Sequence, residues 1–201
     1  MSAYSEPAQP VTYEVKIKRS VFIANLSVCH DEAEARDFLT QIVSQHRDAT
    51  HNCRAYILSN GTEYSSDDGE PSGTAGKPIL NAIKHSELVN VIVVVTRYYG
   101  GVKLGVRGLI DAYGGTAAKA LELAGRIERV MTRGVSVSLS YPAMGNVTRL
   151  LEGAGASGME WTYGEDVNVK CDVPVSAWEY LVRELDELAA RKIIAEWEMI
   201  E

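Results

Sequence analysis

Only three cysteines, two phenylalanines and six prolines occur among the 201 residues. Cys29, Cys53 and Cys171 are scattered and odd in number, with no C-x-x-C spacing, which excludes a disulfide framework and a zinc knuckle and leaves buried, reduced thiols. Long apolar runs are also missing. None approaches the roughly 18 to 20 residues that cross a bilayer, so no membrane partner is expected. The opening MSAYSEPAQP has neither a basic n-region nor an apolar h-region, and the expected location is the cytoplasm. Neither G-x-G-x-x-G nor G-x-x-x-x-G-K-[ST] occurs, so no known nucleotide signature is present, and the D-x-[DN]-x-[DN]-G spacing of a calcium loop is missing as well.

Acidic charge is plentiful but unevenly placed. Residues 131 to 201 hold 6 Lys and Arg against 12 Asp and Glu, whereas residues 77 to 129 hold 8 basic and 4 acidic groups. A net charge of -7 therefore leaves room for a local patch that meets an anionic partner.

Val11 to Lys18 alternates as a half-buried strand, and Val21 to Leu26 reads as its neighbour. Asp31 is placed to cap a helix reaching Gln45. Asn52 to Leu58 is a strand ended by the turn Ser59-Asn60-Gly61, Pro78 to Lys84 is a short helix, and Leu88 to Val95 is a strand buried on both faces, broken only by Asn90. Gly105 to Leu123 is a helix rich in Ala and Gly. Beyond residue 132 the pattern is strand, helix, strand, twice: Arg133–Ser140, Met144–Glu152, Ala156–Tyr163, Val167–Val173, a helix from a Ser176 cap to Ala190, and Lys192–Ile200. Such a βαββαβ order is the split βαβ, ferredoxin-like arrangement. The expected fold class is α+β in two domains, 1–130 and 131–201. Trp161, Trp178 and Trp197 fall in the second and are expected to anchor its core.

Two segments do not serve a core. Asp67-Asp68-Gly69-Glu70-Pro71-Ser72-Gly73-Thr74-Ala75-Gly76-Lys77-Pro78 packs three acids, three glycines and two prolines into twelve residues. Asp67, Asp68 and Glu70, with Ser72, Gly73, Thr74 and Lys77, could meet a ligand or basic partner, cap backbone donors, or offer hard oxygen ligands to Mg²⁺. The second segment runs from Thr96 to Gly108. Gly100, Gly101 and Gly105 let a ligand approach the backbone, and the helix starting near Gly105 directs its free N–H groups there. Arg97, Lys103 and Arg107 add positive charge, and Tyr98 or Tyr99 could stack on a base. The plainer reading is a glycine turn that only permits close packing. His51 and Cys53 share one face of a strand, where a thiolate activated by imidazole competes with a simply buried cysteine. No catalytic residue and no metal ligand is assigned.

The runs HNCRAYIL at 51–58, DDGEPSGTAGKPIL at 67–80 and VTRYYGGVKLG at 95–105, with Lys18-Arg19-Ser20-Val21-Phe22-Ile23-Ala24, resemble the YigZ and IMPACT family over nearly the whole chain. The resemblance implies a first domain like domain 2 of ribosomal protein S5 and a second like the last domain of elongation factor G. It also implies a link to translation control without a settled catalytic activity. The family pattern that the resemblance implies has glycine in many relatives where Arg107 stands and arginine where Asp111 stands. The expected function is thus a non-enzymatic protein of translation or its regulation, meeting RNA or a ribosome-associated protein. The competing reading is an enzyme or binding protein for a phosphorylated small molecule or nucleotide. A third is an adaptor working through the acidic second domain.

Overall fold

A computed structural model describes residues 3–200, which form a mixed α+β chain in two compact units, Tyr4–Arg129 and the part from Val130 onward, which also takes in Ala3, so that the first and last strands of the first unit each end one residue beyond it. The first unit contains strands β1 (Ala3–Glu6), β2 (Val11–Ile17), β3 (Ser20–Val28), β4 (His51–Ile57), β5 (Glu63–Ser66), β6 (Val91–Tyr98) and β7 (Ile127–Val130), with helices α1 (Glu32–Gln45), α2 (Gly76–Ser86) and α3 (Gly105–Ala124). Five strands form one antiparallel sheet in the order β2-β3-β6-β4-β5.

β6 lies at the centre of that sheet, and every residue from Val91 to Arg97 is buried. Its unbroken apolar sequence follows from having both faces covered. On one face Ile92 and Val94 pack with Cys29, Ala35, Ile42 and Leu58 of the α1 side. On the other Val91, Val93 and Val95 meet Ile79 and Ile83 of α2 and Leu109, Ala112, Tyr113 and Ala117 of α3. Small residues on α3 bring its axis close to the sheet, and Tyr113 fills the remaining depth. Its ring meets Phe22 edge-on at 5.2 Å, an arrangement worth about 0.5–1.5 kcal/mol beyond the burial of area.

Asp31 caps α1 as expected: its carboxylate accepts from the Glu34 N–H at 2.8 Å, while Glu34 reaches back to the His30 N–H at 2.7 Å. The strand expected from Leu88 begins only at Val91, because Asn90 has φ 53° and uses its side-chain oxygen to receive the Ser59 N–H. The hairpin between β2 and β3 turns on Lys18 and Arg19, both with positive φ, as a two-residue primed turn requires. β1 pairs with the short β7, and Glu6, buried, receives Arg129 Nε at 2.6 Å.

The second unit contains β8 (Thr132–Leu139), α4 (Met144–Gly153), β9 (Ser157–Tyr163), β10 (Val167–Pro174), α5 (Trp178–Ala190) and β11 (Ile194–Ile200). Its four strands are antiparallel in the order β11-β8-β10-β9. Val135, Val137, Leu139, Val167, Val169 and Val173 alternate inward against Val147 and Leu151 of α4 and Leu181 and Leu185 of α5. Trp161, Trp178 and Trp197 pack against this core, with Trp178 and Trp197 edge to face at 6.4 Å and Trp197 Nε1 donating to Asp186 at 3.0 Å. Ser176 does not cap α5. It lies in a 3₁₀ turn, Val175–Ala177, which leads directly into the helix, so the helix starts from Ala177 without a side-chain cap.

Candidate functional site

Backbone donors occupy three of the acidic loop's six carboxylate oxygens, both of Asp67 and one of Asp68. Asp67 receives the N–H groups of Gly73 at 2.8 Å, Ala75 at 2.9 Å and Gly76 at 2.8 Å, and so supplies from a distance the cap that Ala75 cannot give α2. Burial alone would raise the Asp67 carboxyl, but these bonds, with Lys77 nearby, hold it below its ordinary value. Asp68 accepts from the Asn52 N–H at 2.7 Å, and its carbonyl meets His51 Nδ1 at 2.7 Å. Thr74 donates to the Pro71 carbonyl at 2.6 Å, while Ser72 and Lys77 are exposed. Gly76 has no alternative, since a Cβ there would come within 2.7 Å of the Ser66 backbone.

Glu70 turns inward. One oxygen, Oε1, receives Arg97 Nη1 at 2.5 Å and the Tyr113 hydroxyl at 2.7 Å, with His51 Nε2 at 3.9 Å. Arg97 is directly opposite Phe22 in the β3–β6 register, and its guanidinium lies over the Phe22 ring at 5.5 Å and the Tyr99 ring at 5.3 Å. Arg97 is 5% exposed, and its Nε has no partner among the described residues. The residue expected to present a surface cation is thus a buried one, neutralised by Glu70. Tyr98 points to the other face of β6, where its hydroxyl meets His46 Nδ1 at 2.9 Å. Tyr99 is 46% exposed and is the aromatic ring available at the site.

These placements do not assemble a shared magnesium set from the three acids. Asp67 is saturated by N–H donors, Asp68 turns to the Asn52 backbone, and Glu70 is paired inside. The three carboxylates serve three separate duties and do not converge as hard ligands. Among the described residues no group of three or more His, Cys, Asp and Glu side chains is arranged to hold a metal ion. Cys53 shares a face with His51, but burial, first, and then the surrounding acids Glu70, Asp68 and Asp67 push its thiol up to about 12 against the pull of Tyr113. A group so disposed stays protonated and is a poor nucleophile at neutral pH. Tyr113 is likewise held as a hydroxyl donor by burial and by Cys53 and Glu70 beside it.

The two loops meet. A cavity of about 470 Å³ is lined by Glu70 and Pro71 from the acidic loop and by Arg97, Tyr99, Lys103, Leu104, Gly105, Val106 and Leu109 from the second segment. Its floor carries the Glu70–Arg97 pair and its walls are apolar. Lys103 and, in the first turn of α3, Arg107 are exposed. Gly101 and Gly105 adopt φ of 82° and 76°, and a Cβ on Gly100 would lie 1.9 Å from the Arg19 carbonyl oxygen. Gly100 is therefore required by the β2–β3 hairpin, whereas Gly101 and Gly105 shape the rim. α3 begins without a side-chain cap, which leaves its first N–H groups unclaimed by its own N-cap residue Leu104. Sequence reasoning missed Val106 and Leu109 as walls. Their i,i+3 spacing on α3, with Leu109 four residues from Gly105, is the signal that could have found them.

Comparison with known proteins follows these same residues. The Impact N-terminal domain matches residues 18–121, which include both loops and the cavity. The chain is 41% identical to the IMPACT family member YvyE of Bacillus subtilis over 157 residues, 77% of this chain and 72% of that protein. It is 39% identical to an IMPACT family member of Thermus thermophilus, encoded in the pol 5′ region, over 79% of this chain and 86% of the relative. A hypothetical protein of known crystal structure superposes with a TM-score of 0.72 at 29% identity, covering 100% of this chain and 98% of the other. The chain belongs to the IMPACT family.

Proposed function

We propose that this protein acts in the cytoplasm as a non-enzymatic binding protein of translation or its regulation, meeting RNA or a ribosome-associated protein at the cavity between its two loops. Family membership supports the link to translation. The observation that carries the binding reading is the cavity itself: an apolar slot with an exposed aromatic ring, Lys103 on its edge and Arg107 beyond. Single-stranded RNA is bound through such rings and flanking cations. On the same reading residues 1–130 form a module like domain 2 of ribosomal protein S5. Residues 131–201 form a ferredoxin-like module, supported by the strand order β11-β8-β10-β9 with two helices. Arg107 and Asp111, four residues apart on α3 and both exposed, offset one another, so Lys103 is the main cation of the rim.

The test is binding of labelled RNA and of ribosomes over a salt series, for the wild type and for Lys103→Ala, Arg107→Ala. Affinity that falls with salt, with a slope shallower by roughly 0.7 to 1 for each lost contact in the variant, supports phosphate contacts at the rim. No binding to RNA, ribosomes or any translation factor at any salt overturns the proposal. The size of the cavity, about 470 Å³, also suits a second reading, a phosphorylated small molecule or nucleotide, which titration with nucleotides in the same assay detects.

A further inference from the structure

The cavity floor specifies more than a general affinity for RNA. Oε1 of Glu70 is taken by Arg97 and Tyr113, while Oε2 has no hydrogen bond among the described residues. Oε2 is also absent from the fully buried polar atoms that lack a partner, so it is within reach of solvent. Arg97 Nη1 donates to Glu70 and Nη2 to Ser20 at 3.5 Å, while its Nε, without a partner among the described residues, is fully buried. Beside this guanidinium the floor offers a carboxylate oxygen that accepts. Around it stand Tyr99, Leu104, Val106 and Leu109, and at the edge the amine of Lys103. A matching ligand is flat and apolar across its faces, carries N–H donors on one edge, and has an anion that reaches the rim. A nucleobase with its phosphate has this form.

We propose that the cavity takes one unstacked base of single-stranded RNA, guanine in preference to the others, with its ring against Tyr99, its donor edge toward Glu70 and an adjoining phosphate at Lys103. Guanine presents two neighbouring donors, N1–H and the N2 amino group. Adenine and cytosine present one amino group each, and uracil one imide N–H. Recognition of bases by stacking and by their Watson–Crick edge is the usual way single-stranded RNA is read. The proposal rests on the RNA reading of the site and narrows it to one base.

The probes are fluorescein-labelled octauridylates whose central base is uracil, adenine or guanine, followed by anisotropy at fixed salt. The expected result is binding of the guanine oligonucleotide on the order of tenfold tighter than the adenine one. Val106→Trp places a large ring over the mouth at a position 62% exposed, where folding tolerates it, and thermal melting checks that it does. This variant, and Tyr99→Ala, should bring the three oligonucleotides to equal affinity while the salt slope is kept. Equal affinities in the wild type, or a guanine preference untouched by Val106→Trp, overturn the base pocket. If in that case binding still depends on salt through Lys103, the broader RNA reading survives its loss. Binding to ribosomes or a translation factor with no binding to any oligonucleotide overturns the base pocket and assigns the cavity to a protein partner.

Discussion

Replacing Glu70 by Gln keeps the shape of the side chain and removes its charge. Arg97 would then remain 5% exposed with no anion beside it and with its Nε already unpartnered. Removing one member of a buried ion pair costs about 3–5 kcal/mol, because the surviving charge stays out of water. The amide oxygen can still accept from Tyr113, which places the expected loss at the lower end, about 3 kcal/mol. For a unit of about this size that corresponds to a fall in Tm of roughly 10 °C. All three tryptophans lie in the second unit, at 161, 178 and 197, so their fluorescence does not report the unfolding of Tyr4–Arg129. Near-ultraviolet circular dichroism of tyrosine, or the far-ultraviolet signal, should follow the destabilised unit, while tryptophan fluorescence serves as an internal control. Arg97→Met should cost about as much as Glu70→Gln, for it strands the carboxylate. Glu70→Leu with Arg97→Met should recover most of the loss, as apolar replacement of both partners commonly does. A Glu70→Gln protein within about 1 kcal/mol of the wild type in urea unfolding would refute the account of the buried pair.

Three further outcomes follow from the same geometry. Asp67→Asn should destabilise the protein by about 1–2 kcal/mol at pH 7 through loss of the remote cap. Because the folded carboxyl is held below its ordinary value of 3.8, the wild-type advantage is present above that value and disappears as pH falls through the lower folded value, which unfolding at pH 2 to 7 measures. Burial pushes Cys29 and Cys53 up to about 12 and Cys171 to about 11, so a disulfide reagent at pH 8 should label none of them until urea unfolds the chain. Gly100→Ala should cost about 3 kcal/mol or more, since its Cβ meets the Arg19 carbonyl at 1.9 Å. Gly115→Ala, with nothing within 4 Å of its Cβ inside α3, should gain about 0.5–1 kcal/mol, and equal melting temperatures for the two variants would contradict this.

Local signals read well from sequence and distant ones did not. The α1 cap at Asp31 was legible because its partner Glu34 is three residues away. The both-faces burial of β6 was legible in its run of valines. The short strands β1, β5 and β7 were not, because four residues carry too little periodicity to distinguish strand from loop. The Ser176 cap failed for a related reason: a 3₁₀ turn uses the same residue types as a helix start. Capping by the acidic loop was one of the readings open at the sequence level, and Asp67 takes that role. Which residue of the second loop would face solvent was not readable. Arg97 sits 27 residues from Glu70, and nothing local to either marks them as a pair. Charge counted along the chain therefore overstates the cationic surface by the one arginine that the fold withdraws.

The wall formed by residues 67 to 76 is tied to itself before any partner arrives. Asp67 binds three backbone donors ahead of it, Glu70 N–H bonds back to the Asp67 carbonyl, and Thr74 closes on Pro71. Fixing one residue's backbone costs about 1–2 kcal/mol, and here folding has already met that cost. Association at this rim therefore spends little on ordering the receptor, and the loss of conformational freedom on binding falls on the partner. A floppy single strand and a prefolded hairpin presenting the same bases should for that reason bind with different entropies, although they meet an unchanged wall.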